Sequence, residues 1–119
     1  MEITKIHEDE RGLIEALTGL SVYEEVTLFF TKKGKARGGC VHHIHDEYCV
    51  VIEGCVDFFL NDYCHRMKVG QSVLIPKHIP HYFIAITDCI VAEWGATKEE
   101  KRDKHIETRK LVDEINVTI

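Results

Sequence analysis

The sequence predicts an all-β sandwich or barrel followed by one C-terminal helix. Three observations carry this. Between residues 26 and 94 short apolar or alternating runs are each ended by turn residues, at the roughly 8–12-residue spacing of sandwiches and barrels. No strand alternates with a helix-length pattern, and no glycine-rich nucleotide loop is present. The stretch 97–115 has neither glycine nor proline and many helix-forming residues.

The elements follow in order. "VTLFF" (26–30) leads into the Gly/Lys loop "TKKGKARGG". "YCVVI" (48–52) stops at Glu53-Gly54, and "CVDFFL" (55–60) stops at "NDY". "MKVGQSVLI" (67–75) turns at Gly70, "HYFIAI" (81–86) ends at Thr87-Asp88, and "CIVAEW" (89–94) ends at Gly95. In "TKEEKRDKHIETRKLVDEI", Thr97 with Glu100 three residues later is a capping-box pattern. The apolar positions Ile106, Leu111, Val112 and Ile115 make a thin stripe. The expected organisation is one barrel domain over 1–96, with a helical tail over 97–119 packed on the barrel or on a partner subunit.

The totals bound the function. At 119 residues one domain is expected, burying roughly 65% of its unfolded surface around one core. A formal charge of −5 gives no support for nucleic-acid binding. No apolar run approaches the ~20 residues of a membrane span, and the mixed, charged "MEITKIHEDERG" is unlike a signal peptide. Five cysteines, odd in number and scattered, read as reduced thiols in a cytoplasmic protein.

Polar residues concentrate in "GKARGGCVHHIHDEYCVVIEG" (34–54). Strand alternation places Cys40 with His42 on one face, Glu47 with Cys49 and Val51 on another, and His81 with Phe83 and Ala85 on a third. Thiolate, imidazole and carboxylate are ligands for Zn²⁺ or Fe²⁺, and they also move protons near neutral pH. A lone histidine is more often a surface residue than a ligand. His43 and His45 are therefore candidates for the pocket rim, while His7, His65 and His105 carry no signal. Cys49, Cys55, Cys64 and Cys89 read as packing residues.

The spacing resembles the cupin superfamily. Its first motif runs glycine, five residues, His-x-His, three or four residues, glutamate, six residues, glycine. Gly34, Cys40-Val41-His42, Glu47 and Gly54 match it, with cysteine for the first histidine. Gly70, Pro76 and His81 match the second motif, with Ala85 at the usual asparagine and His78 at the usual inner glycine. The resemblance implies a double-stranded β-helix, or jelly roll, of two antiparallel sheets. It also implies a pocket lined by Cys40, His42, Glu47 and His81.

A narrower resemblance covers most of the first ninety-five residues. Asp9-Glu10-Arg11-Gly12, then Arg37-Gly38-Gly39-Cys40-Val41-His42, look like small cupins that isomerise or epimerise nucleotide-linked keto sugars. Among these are the dTDP-keto-deoxyhexose 3,4-ketoisomerases and, more remotely, the 3,5-epimerases of the rhamnose route. This implies His42 as the acid/base, His81 as a partner of the ketone or enolate oxygen, and Arg37 with His43 and His45 as substrate contacts. No metal is needed in that reading, and a homodimer is expected. In the alternative, Cys40, His42, Glu47 and His81 ligate Zn or Fe for another small-molecule activity. A third reading is a cupin that binds a small ligand without turnover. Neither nucleic acid nor membrane is expected as a partner.

Overall fold

The computed structural model describes residues 2–19, 25–97, 99–100 and 103–117. Among the described residues, ten strands form two antiparallel sheets. They are β1 (Glu2–Asp9), β2 (Gly12–Thr18), β3 (Val26–Thr31), β4 (Ala36–Cys40), β5 (Glu47–Glu53), β6 (Cys55–Leu60), β7 (Tyr63–Lys68), β8 (Ser72–Ile75), β9 (His81–Ala85) and β10 (Cys89–Trp94). The larger sheet has the order β1-β2-β3-β10-β5-β8, and the smaller β4-β9-β6-β7. This is the jelly roll expected from the sequence.

Period-two alternation builds the core. In β5 the side chains of Glu47, Cys49 and Val51 are buried, while Tyr48 and Ile52 are exposed. Cys49, Val51 and Val91 of the larger sheet meet Val56, Phe58, Met67, Phe83 and Ala85 of the smaller. Phe58 and Phe83 stack with centroids 6.0 Å apart, and full burial of such a side chain contributes about 2–3 kcal/mol. On the outer face, Tyr48 stacks on its cross-strand partner Trp94 at 5.9 Å.

The N-terminal hairpin was not legible as strands. The side chains of β1 are exposed almost throughout, so its sequence carries no hydrophobic alternation. Its pairing with β2 supplies the order instead, closed by the two-residue turn Glu10-Arg11 between paired Asp9 and Gly12. Asp9 accepts the Arg11 backbone N–H at 2.9 Å and the Arg11 guanidinium at 2.8 Å.

The tail helix α1 spans Ile106–Val117, and the described residues 99–100 and 103–105 are not α-helical. The Thr97/Glu100 pair does form reciprocal bonds: Thr97 N–H donates to the Glu100 carboxylate at 2.8 Å, and Glu100 N–H to Thr97 Oγ1 at 3.3 Å. They organise a turn rather than the start of α1, because the chain next runs extended beside β4. Val41 N–H donates to Asp103 O, and His105 N–H to Gly39 O. α1 then seats Val112 against Ala36 and Tyr82. Asn116 holds the Ala36 amide from both sides, accepting its N–H at 2.7 Å and donating to its carbonyl at 3.0 Å. The tail thus covers β4, an edge strand of the smaller sheet.

Candidate functional site

The two sheets enclose a cavity of about 460 Å³. Three buried ligand-type side chains converge in it. Glu47 enters from the start of β5 and His81 from the start of β9, one from each sheet. His42 comes from the loop after β4. Their ligand atoms all lie within 4.8 Å of one another. His42 Nε2 stands 3.3 Å and His81 Nε2 3.5 Å from the same Glu47 Oε1.

The backbone fixes both imidazoles. His42 Nδ1–H donates to Glu100 O at 3.1 Å and His81 Nδ1–H to Ile79 O at 3.2 Å, tautomers inferred from the carbonyl partners. With the imidazoles neutral, each Nε2 turns its lone pair toward Glu47; protonated, each turns an N–H toward it. His81 is further held by stacking on Phe58. Glu47 is 1% exposed, and neither carboxylate oxygen has a fully formed hydrogen bond to the protein. The contacts from the two imidazoles are long. Burial opposes Glu47's ionisation, but His42, His81 and the Glu93 carboxyl outweigh it and hold its pKa well below the usual carboxylate range. For His42 burial pulls down, and the adjacent Glu47 more than compensates, so its pKa is raised.

A divalent ion fits this donor set. A buried carboxylate lacks the hydrogen bonds such a group normally has. Two imidazoles present lone pairs toward it, and each has its other nitrogen tied to a carbonyl, the usual outer-shell support of a ligating histidine. Two histidines and one carboxylate with open positions suit Fe²⁺ or Zn²⁺.

Cys40 lines the cavity but is outside the convergent group of three. Burial, with the Glu93 charge adding, pushes its thiol pKa up to about 11, so it holds its proton at neutral pH. Arg37 lines the same wall although its parity opposes Cys40. The register of β4 against β9 shifts between Gly38 and Cys40, and this β-bulge turns both side chains inward. The guanidinium is buried. Nε donates to Thr31 Oγ1 at 3.1 Å and Nη2 to Phe30 O at 3.2 Å. Nη1 has no hydrogen bond and stands 4.0 Å from Asp9. Desolvation lowers the Arg37 pKa to about 10, which leaves it cationic.

His43 and His45 do not reach the cavity. Both are exposed. His43 stands against His78, and His45 Nδ1 is 2.8 Å from Glu100. Glu93, Glu25, Arg109 and His7 line the cavity and escaped sequence reasoning. Glu93 could have been found: "CIVAEW" puts it on the face of Val91, which is buried. His7 had no signal, since its strand carries no alternation.

Residues 28–94, more than half of the chain, match the cupin domain family, and the chain belongs to that family. Solved structures agree in fold. KdgF from Halomonas sp. superposes with a TM-score of 0.68 at 16% identity, over 80% of this chain and 88% of that one. The capsular polysaccharide assembling protein CapF from Staphylococcus aureus gives 0.67 at 19% identity, over 82% of this chain. The match spans only 29% of CapF. An RmlC-like cupin from Desulfovibrio desulfuricans gives 0.57 at 24% identity, over 80% of both chains. No curated protein matches in sequence.

Proposed function

We propose that the chain is a metal-dependent cupin acting on a small, anionic, carbonyl-bearing molecule, with a nucleotide-linked keto sugar as the expected class. One observation carries the metal: the buried Glu47 carboxylate, without a complete hydrogen bond, between two imidazoles whose Nδ1 atoms are already engaged. His42, Glu47 and His81 would hold the ion. When bound, it supplies Lewis acidity to a carbonyl oxygen. Arg37, a buried cation whose Nη1 makes no hydrogen bond and only a 4.0 Å contact with Asp9, would bind the substrate's anionic group. The proton-moving role that the family resemblance gave His42 passes to a cavity carboxylate, Glu93 or Glu25, because a ligating Nε2 has no free lone pair. Cys40, a thiol at neutral pH, contributes shape.

A second reading keeps His42 as a metal-free acid/base for keto-sugar isomerisation. It is favoured by the 3.3 Å His42–Glu47 contact and the raised His42 pKa. Elemental analysis of protein purified without a chelating tag separates the two. About one Zn or Fe per chain is expected, lost in Glu47→Gln and retained in Cys40→Ser. Metal-free wild-type protein that converts a dTDP-4-keto-6-deoxy sugar would overturn the metal reading in favour of the second.

A further inference from the structure

Outside the cavity, a second pair of imidazoles stands at the same end of the barrel. His43, in the loop after β4, and His78, in the turn before β9, are both exposed. Their Nδ1 atoms are 2.8 Å apart and their ring centroids 5.1 Å. We propose that this pair is a separate, surface metal site for a Cu²⁺- or Ni²⁺-class ion, with water completing the shell.

Three observations support it. The first is the spacing. Two ring nitrogens bound at about 2.0–2.1 Å in adjacent positions of a square or octahedral shell lie about 2.9 Å apart, against roughly 3.3 Å for a tetrahedral edge. The observed 2.8 Å is set by the hydrogen bond between the rings and already brings both nitrogens within the span of one shell, and imidazole pairs bind Cu²⁺ and Ni²⁺ more tightly than most other divalent first-row ions. The second is backbone strain. His78 has φ of 73°, a conformation glycine adopts freely and a histidine does not. The third is support from both loops. His78 N–H donates to the carbonyl of His42, and Asp46 accepts the Lys77 N–H at 2.9 Å. The two loops are therefore tied before any ion arrives.

Binding needs no net proton release. Without an ion, one ring donates Nδ1–H to the lone pair of the other. As the ion takes both Nδ1 lone pairs, that proton moves to Nε2 of its own ring, at the solvent-exposed surface. The site is independent of the buried one. His42 points inward and His43 outward from consecutive positions, so an ion on the pair would clamp the loop that carries His42.

The test titrates the chelator-stripped, tag-free full chain with Ni²⁺ by calorimetry. Wild type should take two ions per chain. Glu47→Gln should take one, which isolates the surface pair from the buried site. Adding His43→Gln or His78→Gly to that background should weaken the remaining site at least tenfold. The glycine variant suits the backbone of that turn, so it removes the ligand without straining the fold. Loaded with Cu²⁺, Glu47→Gln should show hyperfine coupling to two imidazole nitrogens by electron paramagnetic resonance. The proposal is overturned if Glu47→Gln binds no Ni²⁺, or if both double variants bind it as tightly as Glu47→Gln. A wild type that takes only one ion, unchanged by Glu47→Gln and weakened by His43→Gln, would count against the metal reading of the cavity and leave this site standing.

Discussion

Arg37 and Glu100 decide opposite sides of the site. Arg37 is a cation at the cavity wall whose Nη1 makes no hydrogen bond and stands 4.0 Å from the Asp9 carboxylate. A charge-assisted hydrogen bond contributes about 1.5–3 kcal/mol. Arg37→Lys keeps the charge and loses the planar fork. It should weaken substrate binding roughly tenfold to a hundredfold while metal content stays at the wild-type value. A fall in metal content would instead make Arg37 a structural support. Glu100 sits behind His42. It accepts the backbone N–H groups of Ile44 at 3.1 Å, His45 at 2.8 Å and Thr97 at 2.8 Å. Burial opposes its ionisation, but these donors and the His45 ring outweigh burial and lower its pKa to about 2. A depressed folded pKa means that its stabilisation is present above the usual value of 4.5 and is lost as pH falls toward 2. Wild-type Tm should therefore drop across that window. Glu100→Gln should start lower at pH 7 and show a shallower fall. Parallel curves would place the acid sensitivity elsewhere.

At the scale of elements, the bulge in β4 and the helix that covers it act as one unit. Gly39 has φ of 89°, and a Cβ there would lie 2.7 Å from the Arg109 Cα on α1. Arg109 also donates to Gly38 O at 2.9 Å. Gly39→Ala meets both backbone strain and a clash with the helix, so it should cost more than about 2 kcal/mol in urea unfolding. The helix should lose hydrogen-exchange protection together with β4. A neutral result would show that α1 can shift outward without consequence for the barrel. The same bulge brings Arg37 and Cys40 to one cavity wall, so a local backbone irregularity sets the composition of the site.

For the whole molecule, the three candidate ligands come from places that only the closed barrel unites: one strand of each sheet and a loop between them. An ion held by all three stabilises the folded chain by mass action. At a hundredfold excess over its Kd this is about 2.7 kcal/mol, or roughly 10 °C in Tm for a domain of this size. Wild type stripped of metal should regain that shift on adding Zn²⁺ or Fe²⁺, and Glu47→Gln should not. An equal shift in both would place the stabilising ion outside the cavity. Among the described residues no helix is long and apolar enough to cross a membrane.

Strands with one face in the core were legible in the sequence: β6 and β10 run over the expected residues. So were Glu47 and His81, because period two fixes which side chains turn inward once a strand is placed. His42 was found through motif spacing. What alternation could not show was decided in three dimensions. The exposed β1 is ordered only by pairing with β2. The inward turn of Arg37 depends on a bulge whose register shift reverses parity. The outward turn of His43 and His45 depends on a loop that Glu100 and His78 hold from distant parts of the chain. Residue order thus determined the sheets, the core and the inward-facing positions of Glu47 and His81, since side-chain alternation is a local property. The membership of the cavity belonged to the tertiary structure, since it depends on contacts between segments that no local pattern brings together.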